Sequence, residues 1–200
     1  MPISRVKTKQ YFLLYKPYGV LSQFSDNRGR KTLKTLGRFP NDVYSVGRLD
    51  MDSEGLILLT NDSELNHRLT EPKFEHARTY LVQIERLPSK EAIEQLTEGV
   101  TIQGEKTKPT EVRLLEVEPD IPPRTPAIRY RKNVPTSWIE ITLQEGRNRQ
   151  IRKMTAAVGH PALRLLRIGI GELSLGALKP GESRRLSEKE ARKLRLSAGV

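Results

Sequence analysis

The hydrophobic residues of the chain fall mostly into short runs and alternating stretches, a pattern typical of β-strands. Short apolar runs bounded by turn-forming residues indicate buried strands, and alternation of apolar with polar residues indicates half-buried ones. Strands are therefore predicted at residues 11–15, 43–46, 56–60, 80–84, 110–118 and 138–143, followed by short strands broken by Gly169 and Gly171 within residues 162–175.

Helical signals are fewer, and most of them come with a residue that starts or stops a helix. Because strands outnumber helices and their order is irregular, the pattern favours an α+β fold. The length of 200 residues fits a single domain over residues 1–200. Helices are predicted from the cap cluster at 61–63 to about Thr70, over 89–98 between the cap Ser89 and the stop Gly99, over 146–158, and after the capping box of Ser187 and Glu190, while the proline-rich residues 119–136 predict a long exposed loop.

The charge of the chain is strongly positive, because 35 lysines and arginines against 24 aspartates and glutamates give +11. Two basic segments, residues 1–48 and 121–200, flank an acidic segment, residues 49–120. A polyanion would be attracted to the basic segments because contact with phosphates releases condensed counterions. Nucleic acid is therefore the expected partner, and the alternative interpretation is a solvated basic surface. A shaped RNA target is compatible with a basic surface that carries no finger, zipper or RNP-type motif.

Composition excludes several classes of function. The absence of cysteine excludes disulfides, thiolate catalysis and zinc fingers. The three histidines are scattered along the chain, which argues against a metal site built from histidines. The apolar run at residues 56–59 is far shorter than the ~20 residues that span a bilayer. The first residues are polar and lack the apolar stretch of a secretory signal. The sequence thus predicts a cytoplasmic protein with no membrane partner.

The loop at residues 47–55, GRLDMDSEG, concentrates the candidate chemistry of the chain. It holds the carboxylates Asp50, Asp52 and Glu54 between two predicted strands, in a protein expected to bind a polyanion. Carboxylates can act as nucleophiles, general bases or metal ligands. The residue types alone leave a second interpretation open, in which an aspartate satisfies backbone amides of a tight turn and Arg48 is its ion-pair partner.

Residues 47–61, GRLDMDSEGLILLTN, resemble the catalytic motif of RNA pseudouridine synthases, in the branch typified by the ribosomal small-subunit synthase. The resemblance spans about Tyr11 to Leu186. It implies the pseudouridine synthase fold, with a mixed, mainly antiparallel central sheet flanked by helices and loops and an active-site cleft. Four further stretches resemble other motifs of that family in the same order: KPYGV at 16–20, RTYLV at 78–82, EGRNRQIRKM at 145–154 and LKPGE at 178–182.

The resemblance implies isomerisation of uridine to pseudouridine in ribosomal RNA, most of all in the 23S RNA of the large subunit, with no cofactor and no metal. At the matching positions it implies that Asp50 is the catalytic carboxylate and that Tyr80 stacks on the target uracil. Arg152, on the cationic edge of its predicted helix, is expected to pair with Asp50, the alternative being a phosphate contact. Four basic residues are expected to contact RNA or to support the catalytic loop: Lys16, Arg48, Arg147 and Arg149.

Two other functions stay open on the sequence. A metal-dependent RNA nuclease would use Asp50, Asp52 and Glu54 on Mg²⁺, whereas the family resemblance implies that Asp52 and Glu54 shape the loop. A non-catalytic assembly factor would bind ribosomal RNA through its basic ends. Many members of the branch carry an S4-type RNA-binding domain before the first motif, and the ten residues before Tyr11 predict that it is absent here. The lack of heptads and of an exposed apolar stripe predicts a monomer.

Overall fold

A computed structural model of the chain describes residues 8–128 and 134–200. Its α-helices are α1 (Ser63–Thr70), α2 (Lys90–Glu98), α3 (Gln150–Ala157) and α4 (Glu188–Ser197). Its strands are β1 (Tyr11–Lys16), β2 (Tyr44–Ser45), β3 (Glu54–Thr60), β4 (Arg78–Glu85), β5 (Thr101–Ile102), β6 (Glu105–Lys106), β7 (Glu111–Leu115), β8 (Thr136–Leu143), β9 (Ala162–Ile170), β10 (Leu173–Ser174) and β11 (Ser183–Arg185). Single 3-10 turns occur at Leu33–Leu36 and Pro72–Phe74.

One large sheet organises the described residues and confirms the predicted α+β class. Its strand order is β11-β1-β3-β9-β4-β8-β7, with β2 added to β3 and β10 added to β9, and β5 and β6 form a separate hairpin. Within the described strands, β3 and β9 pair in parallel, and the other pairs are antiparallel. The sheet is therefore mixed and mainly antiparallel, as predicted.

Both faces of the sheet are buried at its centre. All seven residues of β3 are buried, which fits its nearly continuous apolar sequence. Because successive side chains of a strand point to opposite faces, Ile57 joins one hydrophobic cluster and Leu58 joins the other. Each cluster is covered by helices and loops. None of the helices in the described ranges is long and apolar enough to span a bilayer.

The helix starts predicted from the sequence are confirmed by their capping hydrogen bonds. The Asp62 side chain accepts a hydrogen bond from the backbone N–H of Leu65 at the start of α1. Ser89 caps α2 in the same way. Ser187 and Glu190 form both hydrogen bonds of the predicted capping box at the start of α4. These caps require residues adjacent in sequence, so local pattern suffices to find them.

Two predicted boundaries were wrong. Gly169 does not break a strand, since β9 runs without interruption through it and packs the glycine against Thr79. The helix predicted over residues 146–158 begins at Gln150, because the preceding Arg149 adopts a left-handed backbone conformation with φ of 52°. The Gln150 side chain accepts from the backbone N–H of Arg147 and holds the loop before the helix. Part of the predicted proline-rich loop, residues 129–133, lies outside the described residues.

Gly55 allows the parallel contact between β3 and β9. It pairs with Arg167, and a Cβ atom at this position would lie 2.2 Å from the backbone oxygen of Arg167. Its φ of +108° also lies in the region that disfavours other residues. The strand that follows the candidate catalytic loop therefore joins β9 at a point where a side chain does not fit.

We expect Gly55→Ala to lower the free energy of unfolding by about 3 kcal/mol or more, because a backbone clash adds to the cost of the left-handed conformation. Gly29→Ala is the matched control, since Gly29 also has a positive φ (+70°) but has open space around the Cβ position. Gly29→Ala should lower the free energy of unfolding by about 1 kcal/mol. Urea denaturation followed by circular dichroism measures both. Equal losses for the two variants would contradict the role of the close approach.

Candidate active site

A cleft of about 640 Å³ opens at one end of the sheet, where the loop at residues 46–53 faces β4, β9 and the loop before α3. Five of the seven residues singled out in the sequence line this cleft: Arg48, Asp50, Tyr80, Arg147 and Arg149. Two others, Lys16 and Arg152, are not among its lining residues and lie behind the catalytic loop. The motifs that are distant in sequence therefore meet at one cavity.

We call residues 47–55 the catalytic loop, after the motif that they resemble. Hydrogen bonds from several neighbouring residues hold its backbone. The Ser22 hydroxyl donates to the carbonyl oxygen of Leu49 (2.8 Å) and accepts from its N–H (3.0 Å). The Gly19 N–H donates to the carbonyl oxygen of Met51 (2.8 Å), and the Ser53 N–H closes the turn on the carbonyl oxygen of Asp50 (3.0 Å). The loop is thus fixed through its main chain, which leaves the Asp50 side chain free of any structural hydrogen bond in the described residues.

Asp50 and Asp52 differ sharply in their partners. Arg149 donates two hydrogen bonds to the Asp52 carboxylate, at 2.9 and 2.7 Å, and Arg152 adds an ion pair at 3.4 Å. The hydrogen bonds from Arg149, with the charges of both arginines, hold the pKa of Asp52 below its ordinary value. Asp50 has a single, longer ion pair, 3.5 Å from Arg149, and its side chain is 37% exposed. Asp50 is therefore the less constrained of the two carboxylates.

The expected ion pair between Arg152 and Asp50 is not formed. Arg152 instead pairs with the Asp52 carboxylate, donates to the backbone oxygen of Asp52 (2.7 Å) and donates to the carbonyl oxygen of Ala162 (3.2 Å). Burial lowers the pKa of this guanidinium, against the opposing charge of Asp52. The arginine that reaches Asp50 is Arg149, which immediately precedes α3.

Lys16 does not reach the surface of the cleft, so of the two roles expected for it, support of the catalytic loop agrees with its position and contact with RNA does not. Its side chain is fully buried and donates to the carbonyl oxygens of Val20 (2.8 Å) and Pro17 (3.0 Å). Burial lowers the pKa of Lys16 from its ordinary 10.5 to about 8, although the carboxylates of Glu54, Asp52 and Asp50 oppose this shift. Lys16 therefore lies beneath the catalytic loop as a buried amine close to its carboxylates.

Glu54 is removed from the cleft by a buried ion pair. Arg164 donates two hydrogen bonds to its carboxylate, at 2.8 and 2.9 Å, and both side chains are almost completely buried. The same guanidinium also donates to the carbonyl oxygen of Pro122. Glu54 thus anchors the end of the catalytic loop to β9, as expected for a loop-shaping residue.

Tyr80, Arg147 and Arg48 also line the cleft. Tyr80 stands near the start of β4 and is 8% exposed. Arg147 contacts the carboxylates of Glu145 (3.3 Å) and Glu105 (3.4 Å) and donates to the carbonyl oxygen of Lys106, so it is anchored within the protein. Arg48 is exposed at the rim.

Two residues of the site were missed by the sequence analysis. Ser22 fixes the catalytic loop, and a serine in a polar loop carries no distinctive signal. Arg167 lies in the cleft wall beside Tyr80 and is 3% exposed. The available signal was the presence of Arg164 and Arg167 within the apolar strand pattern of residues 162–170, because a charged side chain in a buried strand needs a partner.

The arrangement places one carboxylate, that of Asp50, in a cleft lined by arginines. In the described ranges, no group of three or more histidine, cysteine, aspartate or glutamate side chains is arranged to hold a metal ion. Asp52 and Glu54 are engaged by arginines, so the three carboxylates of the loop do not converge. The site suits nucleophilic or proton-transfer chemistry by a single carboxylate on a polyanionic ligand.

Comparison with known proteins gives consistent results. The family model described as RNA pseudouridylate synthase matches residues 10–157. The chain is 52% identical over 170 residues to the ribosomal large subunit pseudouridine synthase E of Xanthomonas axonopodis pv. citri, covering 84% of this chain and 89% of that protein. It is also 52% identical over 174 residues to the protein of the same name from Xanthomonas campestris pv. campestris, covering 86% and 92%. A solved structure titled "Crystal structure of pseudouridylate synthase" aligns with a TM-score of 0.77 at 31% identity, covering 96% of this chain and 76% of that one.

The buried amine of Lys16 predicts a specific pH dependence of stability. Between about pH 8 and 10.5 the unfolded chain keeps the proton on Lys16 and the folded chain loses it. Because the unfolded state binds more protons in this window, wild-type stability rises with pH relative to Lys16→Met, by up to roughly 3 kcal/mol. Denaturant unfolding at a series of pH values measures this difference. The control Lys90→Met, at an exposed lysine, should run parallel to wild type, and a parallel curve for Lys16→Met would contradict the assignment.

Proposed function

Because the chain belongs to the RNA pseudouridylate synthase family, we infer that it isomerises uridine to pseudouridine in ribosomal RNA. The resemblance found in the sequence motifs is confirmed by this membership. We propose that the target lies in the 23S RNA of the large subunit. The names of the relatives at 52% identity support this choice of substrate.

The reaction breaks the N1–C1′ glycosidic bond of a uridine, turns the base and forms a C5–C1′ bond. The hydrogen on C5 is lost and N1 gains one, so the product is an isomer and no oxidant, reductant or external energy is required. What the protein must supply is an ionised group at the sugar or the base and an environment that holds the detached uracil. The cleft described above offers both on the scale of one nucleotide.

Asp50 is the carboxylate that carries the reaction in this proposal. The single observation that supports it is the contrast within the loop: Asp52 and Glu54 are bound by arginines, and Asp50 is half-exposed in the cleft with one long ion pair. A carboxylate in this position can attack C1′ or C6, or remove the proton at C2′. Each of these roles requires the carboxylate to be held in place, and the fixed loop backbone together with the ion pair from Arg149 does this.

Tyr80 and the basic rim act on the substrate in the same proposal. Tyr80 contacts the target uracil from the wall opposite the catalytic loop. Arg48, exposed at the mouth of the cleft, contacts the phosphate backbone, and Arg149 and Arg152 keep the carboxylates charged. The target nucleotide must leave its stack to enter the cleft, as in other enzymes that modify bases.

The two alternatives from the sequence are not favoured. A nuclease that uses Mg²⁺ would need the loop carboxylates to converge, and arginines bind two of them. An assembly factor without activity gives no reason for a half-exposed carboxylate inside a cationic cleft, where it weakens the binding of RNA. We propose that the protein is cytoplasmic. We also propose that it is a monomer, because the large exposed hydrophobic residues in the described ranges are distant from one another in sequence and occur singly.

We expect Asp50→Asn to lower the rate of pseudouridine formation by ~10²–10⁴-fold, because the amide cannot act as nucleophile or base. Ribosomal RNAs of both subunits, transcribed without modifications, are incubated with the protein in the presence of EDTA. Pseudouridines are then mapped by carbodiimide labelling and primer extension. Wild type should give a new stop in the large-subunit RNA.

Asp52→Asn is the matched control, because it removes a neighbouring carboxylate that is bound by arginines. It should retain measurable activity and lose stability. A stop in the small-subunit RNA would overturn the proposed target but not the reaction. A parallel incubation with Mg²⁺ and no EDTA tests for the nuclease, which would cleave the RNA there and not in the presence of EDTA. RNA binding without any modification, unchanged in Asp50→Asn, would indicate the assembly factor.

A further inference from the structure

Arg167 occupies a central position in the wall of the cleft, although it has no part in the mechanism above. It lies on β9 between two neighbouring strands, paired with Gly55 of β3 on one side and with Tyr80 of β4 on the other. Its side chain is 3% exposed. A buried cation thus stands directly across from the tyrosine that faces the target base.

The hydrogen bonds of Arg167 are incomplete. Its Nε donates to the carbonyl oxygen of Leu56 at 2.7 Å, and its Nη2 has no hydrogen-bond partner among the described residues. Buried polar groups nearly always have a partner, so an unpartnered guanidinium nitrogen in a cavity wall requires an explanation. Arg164 on the same strand differs, because its Nε and Nη2 donate to Glu54 and Pro122.

The groups around Arg167 indicate which of them can accept a hydrogen bond from its guanidinium. Burial lowers the pKa of its guanidinium, and the nearby Arg78 acts in the same direction. The nearby phenolic oxygen of Tyr80 opposes both effects. Arg167 forms no ion pair with a carboxylate in the described ranges. The hydroxyl of Tyr80 is therefore the group in the cleft that suits its remaining N–H.

We propose that Arg167 is a positioning residue for Tyr80, in that its free N–H donates to the phenolic oxygen and turns the hydroxyl hydrogen toward the target base. This inference rests on the proposed function. A phenol that accepts from a guanidinium on one side presents its own hydrogen on the other. Hydrogen bonds of this kind are often loose in the free enzyme and tighten when substrate is bound.

The chemistry of the reaction gives this arrangement a use. When the N1–C1′ bond breaks with its electron pair on the base, the uracil oxygens gain negative charge. A donor fixed in advance stabilises such developing charge more than one that must reorient. Tyr80, held by Arg167, would supply this donor from the wall opposite Asp50. The buried positive charge of Arg167 behind the phenol adds to the same effect.

A double-mutant cycle tests the coupling, with single-turnover rates at saturating RNA as the readout. Arg167→Lys and Tyr80→Phe should each lower the rate by about 10- to 100-fold, and their KM for RNA should change much less. The double variant should be no slower than Tyr80→Phe alone, because Arg167 acts through the phenol. Effects that multiply in the double variant would overturn the proposal.

Arg164→Lys is the matched control, since Arg164 is also buried on β9 and bonds to Glu54 instead of facing Tyr80. Its loss of melting temperature should resemble that of Arg167→Lys. Its effect on the rate should multiply with that of Tyr80→Phe. A structural role for Arg167 would give the same multiplicative behaviour for both arginines, and coupling confined to Arg167 supports positioning.

A second measurement does not depend on activity or on a substitution of Arg167. The guanidinium ¹⁵N signals of Arg167 should shift in Tyr80→Phe, because the phenolic oxygen is lost, and those of Arg164 should stay in place. Unchanged Arg167 signals would overturn the proposal even if the enzyme is active. A wild-type protein that forms no pseudouridine would instead overturn the proposed function, and the shift would still report whether the two side chains interact.

Discussion

The parallel junction between β3 and β9 is the constraint on which the site depends. It joins residues more than a hundred positions apart in the chain, and it does so where Gly55 leaves no room for a side chain. The catalytic loop ends at this junction. On its other edge, β9 pairs with β4, which carries Tyr80. Two buried arginines of β9 bond to β3, Arg164 through the Glu54 carboxylate and Arg167 through the carbonyl oxygen of Leu56. The pairing of the three central strands β3, β9 and β4 therefore fixes the positions of Asp50 and Tyr80 relative to each other.

The distribution of hydrogen bonds and ion pairs over the catalytic loop explains how one of its three carboxylates stays available in the cleft. Buried ions are costly unless they are paired, and breaking such a pair costs about 3–5 kcal/mol. Glu54 and Asp52 are paired with arginines and so hold the loop in place. Asp50 shares only Arg149 with Asp52, at a longer distance, so its carboxylate is available to a substrate. Structural and chemical tasks are thus divided between neighbouring residues of one short segment.

Local features of the site could be predicted from the sequence, whereas its long-range pairings could not. The loop with Asp50 and the caps at Asp62 and Ser187 depend on adjacent residues, and the structure agrees with both. The pairing of Arg152 was mispredicted because two aspartates of the loop are candidates, and spacing along a helix does not reveal which of them the fold brings to Arg152. The burial of Lys16 likewise depends on how the loop after β1 folds back over its side chain. Partner choice requires the tertiary structure.

The fold brings the acidic and basic segments of the sequence into contact through ion pairs at the site. A carboxylate that must work on RNA would by itself repel the phosphates around its target. The loop carboxylates belong to the acidic middle segment, and their partners Arg149, Arg152 and Arg164 come from the basic segment that follows it. Pairing between the segments neutralises the acidic groups at short range, where Coulomb energies are largest. Arg48, which is exposed at the rim and forms no ion pair within residues 8–128 and 134–200, adds positive charge at the mouth of the cleft, and this favours the approach of RNA to a site whose central carboxylate carries the same sign of charge.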